Sequence, residues 1–169
     1  MTMEDTATVR SVRHKAFDFR TSLRKIARRS GDLISAGRTS LRISSPPEFR
    51  GEEGTWTPEH MLIGAVEGCL MVTFLSLAEH KNIHILAYES MANGRLEFMD
   101  GGYRFTRIVI SPLVVAQHPA EEAQVLSALR DAEKRCLVSN SITAVVEVNP
   151  VVKIEDERPP CPATDFVED

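Results

Sequence analysis

The segment TPEHMLIGAVEGCLMVTFLSLAEH, residues 57–80, constrains this chain more than any other. Between Met61 and Ala78 almost every position is apolar or small, so the segment reads as a helix that must be covered on nearly every side. Thr57 suits the N-cap, Pro58 the first turn and Glu59 the positive end of the helix dipole, and the helix is expected to run to about Lys81. A bilayer could cover such a helix, but Gly64, Glu67, Thr73 and Ser76 interrupt it and His80 and Lys81 close it too soon. A second copy of the chain is the economical cover, which predicts a homodimer with this helix near the two-fold axis.

The 169 residues fit one domain, expected over 14–156, with flexible tails at 1–13 and 157–169. Phe17, Phe19 and Leu23 alternate with Asp18, Arg20 and Arg24, the pattern of a first strand with one wet face. SGD offers a turn, LISAGRTSLRIS a second extended segment, and SPPEFRGEEGTW an irregular loop. After the helix, strands are expected at IHILAYES and GRLEFM, then a DGG turn and a strand YRFTRIVI that Pro112 helps to end. PAEEAQVLSALRDAEKRC places Val125, Leu126, Leu129 and Ala132 at helical spacing, with Cys136 in the last turn, and TAVVEVNPVVKI closes as a strand. The expected order is β-β-α-β-β-β-α-β, an α+β domain.

Several function classes fall away on composition. A net charge of −4 and a pI near 5.8 argue against nucleic acid as the main partner, and the basic run Arg10 to Arg29 reads as a solvated strand face. No apolar run at the start suggests a signal peptide, so a cytoplasmic location and no membrane association are expected. His14, His60, His80, His84 and His118 lack ligand spacing and no CxxC occurs, so no metal site is expected. Nothing suggests a histidine-assisted nucleophile, a GxGxxG loop or a Walker loop. Three cysteines remain, an odd number that points to reduced thiols in a cytosolic setting. Taken alone, Cys69 reads as a small core hydrophobe, Cys136 as packing, and Cys161 as incidental in the tail.

PPEFRGEEGTWTPEHMLIGAVEGCL, followed much later by EKRCLVSNSI, resembles the OsmC/Ohr family, the osmotically inducible protein C and organic hydroperoxide resistance proteins, from about Phe19 to Val152. The motif is Pro58-Glu59, Cys69 ten positions after Glu59, and Cys136 late in a second helix ahead of Ser139-Asn140. The resemblance implies antiparallel sheets wrapped around a long central helix in an intertwined homodimer. It also implies a two-cysteine peroxidase for organic hydroperoxides, without a bound cofactor, recycled by an external dithiol or lipoyl-type reductant. Cys69 would be peroxidatic and Cys136 resolving, through a sulfenic acid and then a disulfide. The family uses a glutamate to hold an arginine that favours the thiolate. Glu59 matches the glutamate. Counting back from Gly31 in ARRSG sets Arg29 against the arginine of the family's Gly-Gly-Arg-Asp-Gly turn, and strand alternation gives it the inward register of Phe17, Phe19 and Leu23, with Arg28 the alternative. Leu62, Val66, Leu70 and Phe74 would line an apolar substrate pocket. CLVSNSI replaces the Cys-Pro-Tyr-Ser of the best-characterised branch, and ARRSG replaces its double glycine. A non-catalytic redox-sensing or small-ligand-binding protein using the same interface pocket is the alternative.

Helix geometry adds a point independent of family. Ten residues of continuous helix separate Glu59 from Cys69 by about 15 Å along the axis, so the two cannot act together within one chain. Antiparallel helices in a dimer would bring Glu59 beside Cys69 of the partner subunit. A free thiol has a pKa near ~8.5 and burial raises it, so Cys69 needs a compensating group, for which an arginine is suited. Glu67, two residues from Cys69, faces another side and is expected to meet solvent or an arginine. Trp56 is expected to pack as a lid edge over the helix start.

Overall fold

The computed structural model describes residues 15–155, so the two tails, His14, the first residues of the basic run and Cys161 lie outside it. The chain divides after Trp56 into two compact units.

The first unit is an antiparallel meander of β1 (Ser22–Lys25), β2 (Ser30–Ile34) and β3 (Leu41–Ser44). Arg24, Asp32 and Arg42 stand side by side across the three strands. Asp32 pairs with Arg42 at 2.8 Å and Arg24 at 3.5 Å, and the Arg42 hydrogen bond in particular lowers its carboxyl pKa against an opposing effect of burial. Leu23, Leu33 and Leu41 form the matching apolar row, and Leu23 is 63% exposed.

Three expectations need correction here. Phe17 and Phe19 precede β1 and are strongly exposed, so the alternating pattern does not make a strand before Ser22. The turn falls at Ala27–Arg29, where Ile26 N and Ala27 N donate to Ser30 O at 3.0 and 3.2 Å, and SGD opens β2. Gly31 belongs in the ladder because a Cβ there would lie 2.9 Å from the Arg24 carbonyl oxygen. Arg29 therefore sits in a turn, exposed, and has no inward strand register. LISAGRTSLRIS is likewise two strands, joined through Gly37 at φ 72°.

In the second unit, α1 (Pro58–His80) starts as read: Thr57 is the N-cap, and its hydroxyl accepts from His60 N at 3.3 Å. β4 (Ile85–Met99) and β5 (Gly102–Ala116) form a long hairpin closed by Asp100 and Gly101, both at positive φ as a two-residue turn requires. β6 (Val145–Val148) and β7 (Val151–Ile154) both pair with β5 in parallel, giving a mixed sheet, and α2 (Glu122–Arg135) precedes them. Val66, Leu70, Phe74 and Ala78 of α1 form a core with Ile108, Ile110 and Val114 of β5 and Val125, Ala128, Leu129 and Ala132 of α2. Leu126 is only partly buried and is not part of that core.

The strand boundaries differ from the sequence reading for physical reasons. Gly94 does not divide two strands; it sits within one, where a Cβ would come within 2.6 Å of the Ile63 side chain of α1 and 2.8 Å of Phe105. Pro112 does not end β5. Ile110 and Ala116 point their carbonyls at Asn149 N and Glu155 N, so alternation puts the position of Pro112's missing N–H opposite the gap where β5 changes partner from β6 to β7. Asn149-Pro150 splits the closing strand in two at that gap. The order is β-β-β-α-β-β-α-β-β, still a mixed helix and sheet fold.

Candidate functional site

The site forms where the middle of α1 meets the C-terminal end of α2. Cys69 is half-buried on α1, and Cys136, the C-cap of α2, is fully buried. At Cys136 the backbone leaves the helix (φ −64°, ψ 112°) and enters a tight turn through Ser139–Ser141. Asn140 N donates to Cys136 O at 3.1 Å, Asn140 Nδ2 to Lys134 O at 3.0 Å, and Ser141 Oγ to Leu137 O at 2.7 Å. These bonds satisfy carbonyls at the helix end and hold the turn's shape.

Both thiols are free, and their environments push them in opposite directions. Burial acts to raise the Cys69 pKa. It is outweighed by hydrogen bonds to the sulfur from the Val138 N–H, the Cys136 thiol, the Leu137 N–H and the Thr73 hydroxyl, so the net shift is downward. For Cys136 burial dominates; the Ser139 hydroxyl and N–H oppose it, and the neighbouring Cys69 adds to it, so the net shift is upward. Ser139 Oγ lies 3.0 Å from Cys136 Sγ, and that sulfur is 3.9 Å from Val66 O. The pair is asymmetric: the surroundings shift Cys69 toward the thiolate and Cys136 toward the protonated thiol.

The other candidates are placed as follows. Glu59 lies in the first turn of α1, ten residues of unbroken helix before Cys69, and its Oε2 is buried without a hydrogen-bond partner among the described residues. Arg29, in the first unit, donates through Nη1 to the Phe49 carbonyl. Val66, Leu70 and Phe74 do not line an open pocket: they recur every fourth residue on the stripe that α1 turns to the core and are at most 1% exposed. Leu62 is half-buried. The surface around Cys69 instead offers Ala65 and Val72 from its own helix and Leu137 from the turn, with Val72 57% and Leu137 76% exposed.

Glu67 meets neither water alone nor an arginine. Ser90 Oγ of β4 donates to its Oε1 at 2.6 Å. The Tyr88 phenol close by has its pKa raised mainly by burial, with the Glu67 charge adding and a Ser90 hydrogen bond opposing.

Sequence reasoning marked Ser139 only as part of the motif, without a contact to the Cys136 sulfur, and missed Thr73 and the N–H groups of Leu137 and Val138 at the site. The i to i+4 spacing of Thr73 from Cys69 was a usable signal. Nothing local could have revealed amides that reach a sulfur almost seventy residues away.

Comparison with known proteins bears on this arrangement. A family model described as OsmC-like protein matches residues 51–151. The uncharacterized protein YmaD of Bacillus subtilis (strain 168) is 29% identical over 119 residues, 68% of this chain and 79% of that protein. An OsmC-like protein of unknown function from Vibrio cholerae superposes with a TM-score of 0.74 at 19% identity, over 80% of this chain and 100% of the other. An organic hydroperoxide resistance protein from Elizabethkingia anophelis superposes with a TM-score of 0.64 at 14% identity, over 83% and 99%. At these identities the superpositions speak for the fold.

Proposed function

Since the chain belongs to the OsmC-like protein family, we propose that it is a thiol-dependent peroxidase that reduces organic hydroperoxides with Cys69 and Cys136. The observation that carries this reading is the asymmetric pair: a half-exposed thiol held toward the thiolate beside a buried one held toward the thiol. Similarity to a protein named for organic hydroperoxide resistance supports the substrate class.

In the first step the Cys69 thiolate attacks the outer peroxide oxygen. The S–O bond forms, the O–O bond breaks, and the alkoxide takes a proton and leaves as the alcohol. In the second, the Cys136 sulfur attacks the Cys69 sulfenic acid, forming the disulfide and releasing water. An external dithiol, of which a lipoyl group is one type, then reduces the disulfide and is itself oxidised to a disulfide. Ala65, Val72 and Leu137, rather than the core residues, offer apolar surface to the substrate's organic group.

In this reading the protein works as a homodimer in the cytoplasm. The exposed Val72 and the open space above Gly64 and Gly68 suit the α1 surface to close packing by a second copy. Arg29 is the arginine of the motif and Glu59 the carboxylate that holds such a cation, a role that its partnerless buried oxygen would suit.

The test is to mix reduced protein with cumene hydroperoxide and a dithiol and follow peroxide loss over many turnovers. Sustained consumption, abolished in Cys69→Ser, is the expected result; no thiol loss at Cys69 would end the claim. The complete burial of Cys136 also favours a second reading, a redox sensor that oxidises once. Stoichiometric oxidation without sustained consumption would select it.

A further inference from the structure

We propose that Ser139 is a positioning residue for the second half of the reaction, its hydroxyl holding the Cys136 sulfur as the anion that attacks oxidised Cys69. The inference rests on the two-cysteine reading above and adds a residue that controls the step between sulfenic acid and disulfide.

The geometry around Cys136 supports it. The sulfur is 0% exposed, so water does not solvate a thiolate there. Besides the Ser139 N–H and the Cys69 sulfur, it has two polar neighbours of opposite effect. The Val66 carbonyl at 3.9 Å can only accept, and therefore favours the protonated thiol. The Ser139 hydroxyl at 3.0 Å donates, and a donor bonds most strongly to the anion. Ser139 is also held in place: it opens the short turn Ser139–Ser141, where Ser141 N donates to Val138 O at 3.0 Å and Asn140 N to Cys136 O at 3.1 Å.

The same turn divides its work between the two sulfurs. The N–H groups of Leu137 and Val138 serve Cys69, whereas the Ser139 side chain serves Cys136. Removing the hydroxyl should therefore leave the attack on peroxide intact and slow the resolution. In that step the Cys136 sulfur gives up its proton, an S–S bond forms, the S–O bond of the sulfenic acid breaks, and hydroxide leaves with that proton as water. No outside oxidant or reductant is needed.

The experiment uses the reduced full chain as wild type, Ser139→Ala and Ser139→Thr, in a single turnover with cumene hydroperoxide. Peroxide loss reads the first step, dimedone capture reads the sulfenic acid, and quenched mass spectrometry reads the Cys69–Cys136 disulfide. Ser139→Ala should keep the first rate, accumulate more dimedone adduct and form the disulfide roughly tenfold more slowly near neutral pH, the size of one hydrogen bond to a charged group. The deficit should narrow as pH rises, because hydroxide then makes the Cys136 anion unaided, and Ser139→Thr should restore the rate. Unchanged disulfide formation, equal slowing of both steps or a deficit independent of pH would each overturn the proposal. A parallel arm uses diamide, a thiol oxidant that forms an adduct on Cys69 and leaves the same attack to Cys136. If wild type ignores the hydroperoxide but its diamide-driven disulfide depends on Ser139, the peroxidase reading fails and this inference stands; if diamide-driven disulfide formation is the same in both variants, the inference fails.

Discussion

The two ends of α2 bury a polar group each, and they do opposite things with it. At the N-terminal end Glu121 is only 7% exposed, and its carboxylate accepts from His84 N and His84 Nδ1, both at 2.9 Å, and from His118 N at 3.0 Å. Burial works against the charge, but those hydrogen bonds outweigh it and hold the pKa down to about 2. At the C-terminal end Cys136 is just as enclosed, yet its donors do not offset burial and its pKa rises. A buried group whose donors satisfy its charged form fastens the fold; one left short of donors keeps a proton to lose and so retains chemistry.

The contrast can be broken at either end. The largest expected effect is on stability: Glu121→Gln should cost about 2 to 3 kcal/mol, because the charged acceptor of three hydrogen bonds is lost from a buried site, and chemical denaturation measures it. The pH dependence sharpens the assignment. The folded pKa of Glu121 lies below the ordinary glutamate value of 4.5, so its stabilisation is complete above that value and disappears as pH falls toward about 2. Wild-type and Glu121→Gln stabilities should converge over that window, and a gap that persists in acid would show that the carboxylate charge is not the cause.

At the other end, Thr73→Val should leave the melting temperature close to wild type but raise the Cys69 pKa, since a hydroxyl donor to the sulfur is lost. The pH profile of iodoacetamide reaction at Cys69 should move upward, and an unmoved profile would remove Thr73 from the site. The smallest effect belongs between the two ends. Lys81 and Asp131 pair at 2.9 Å with both side chains 36% exposed, and Asp131→Asn should give no resolvable change in Tm because solvent screens the pair.

Much of this site was legible in the chain. The Thr57 cap, the proline and glutamate of the first turn and the uninterrupted apolar run specify α1 through contacts within a few residues, and they set Cys69 a helix-fixed distance from Glu59. The Asp100-Gly101 turn and the charge polarity of α2 were readable for the same local reason. Arg29 was harder, because alternation shows which side chains share a face only if the strand continues, and β1 stops at Lys25 where its ladder with β2 ends. Gly94 and Pro112 misled in the opposite sense. Each looks like a breaker until the packing of Ile63 and the change of partner along β5 are seen.

The sequence by itself determined the long helix, its caps, the two thiols and the family to which they belong. Only the tertiary structure decided that Glu67 bonds Ser90, that Val66, Leu70 and Phe74 are core, and that Cys69 and Cys136 are unequal. The physical reason is range. Caps and turns depend on neighbours along the chain, whereas burial and a sulfur's hydrogen-bond donors come from segments brought together only when the helices and sheet pack.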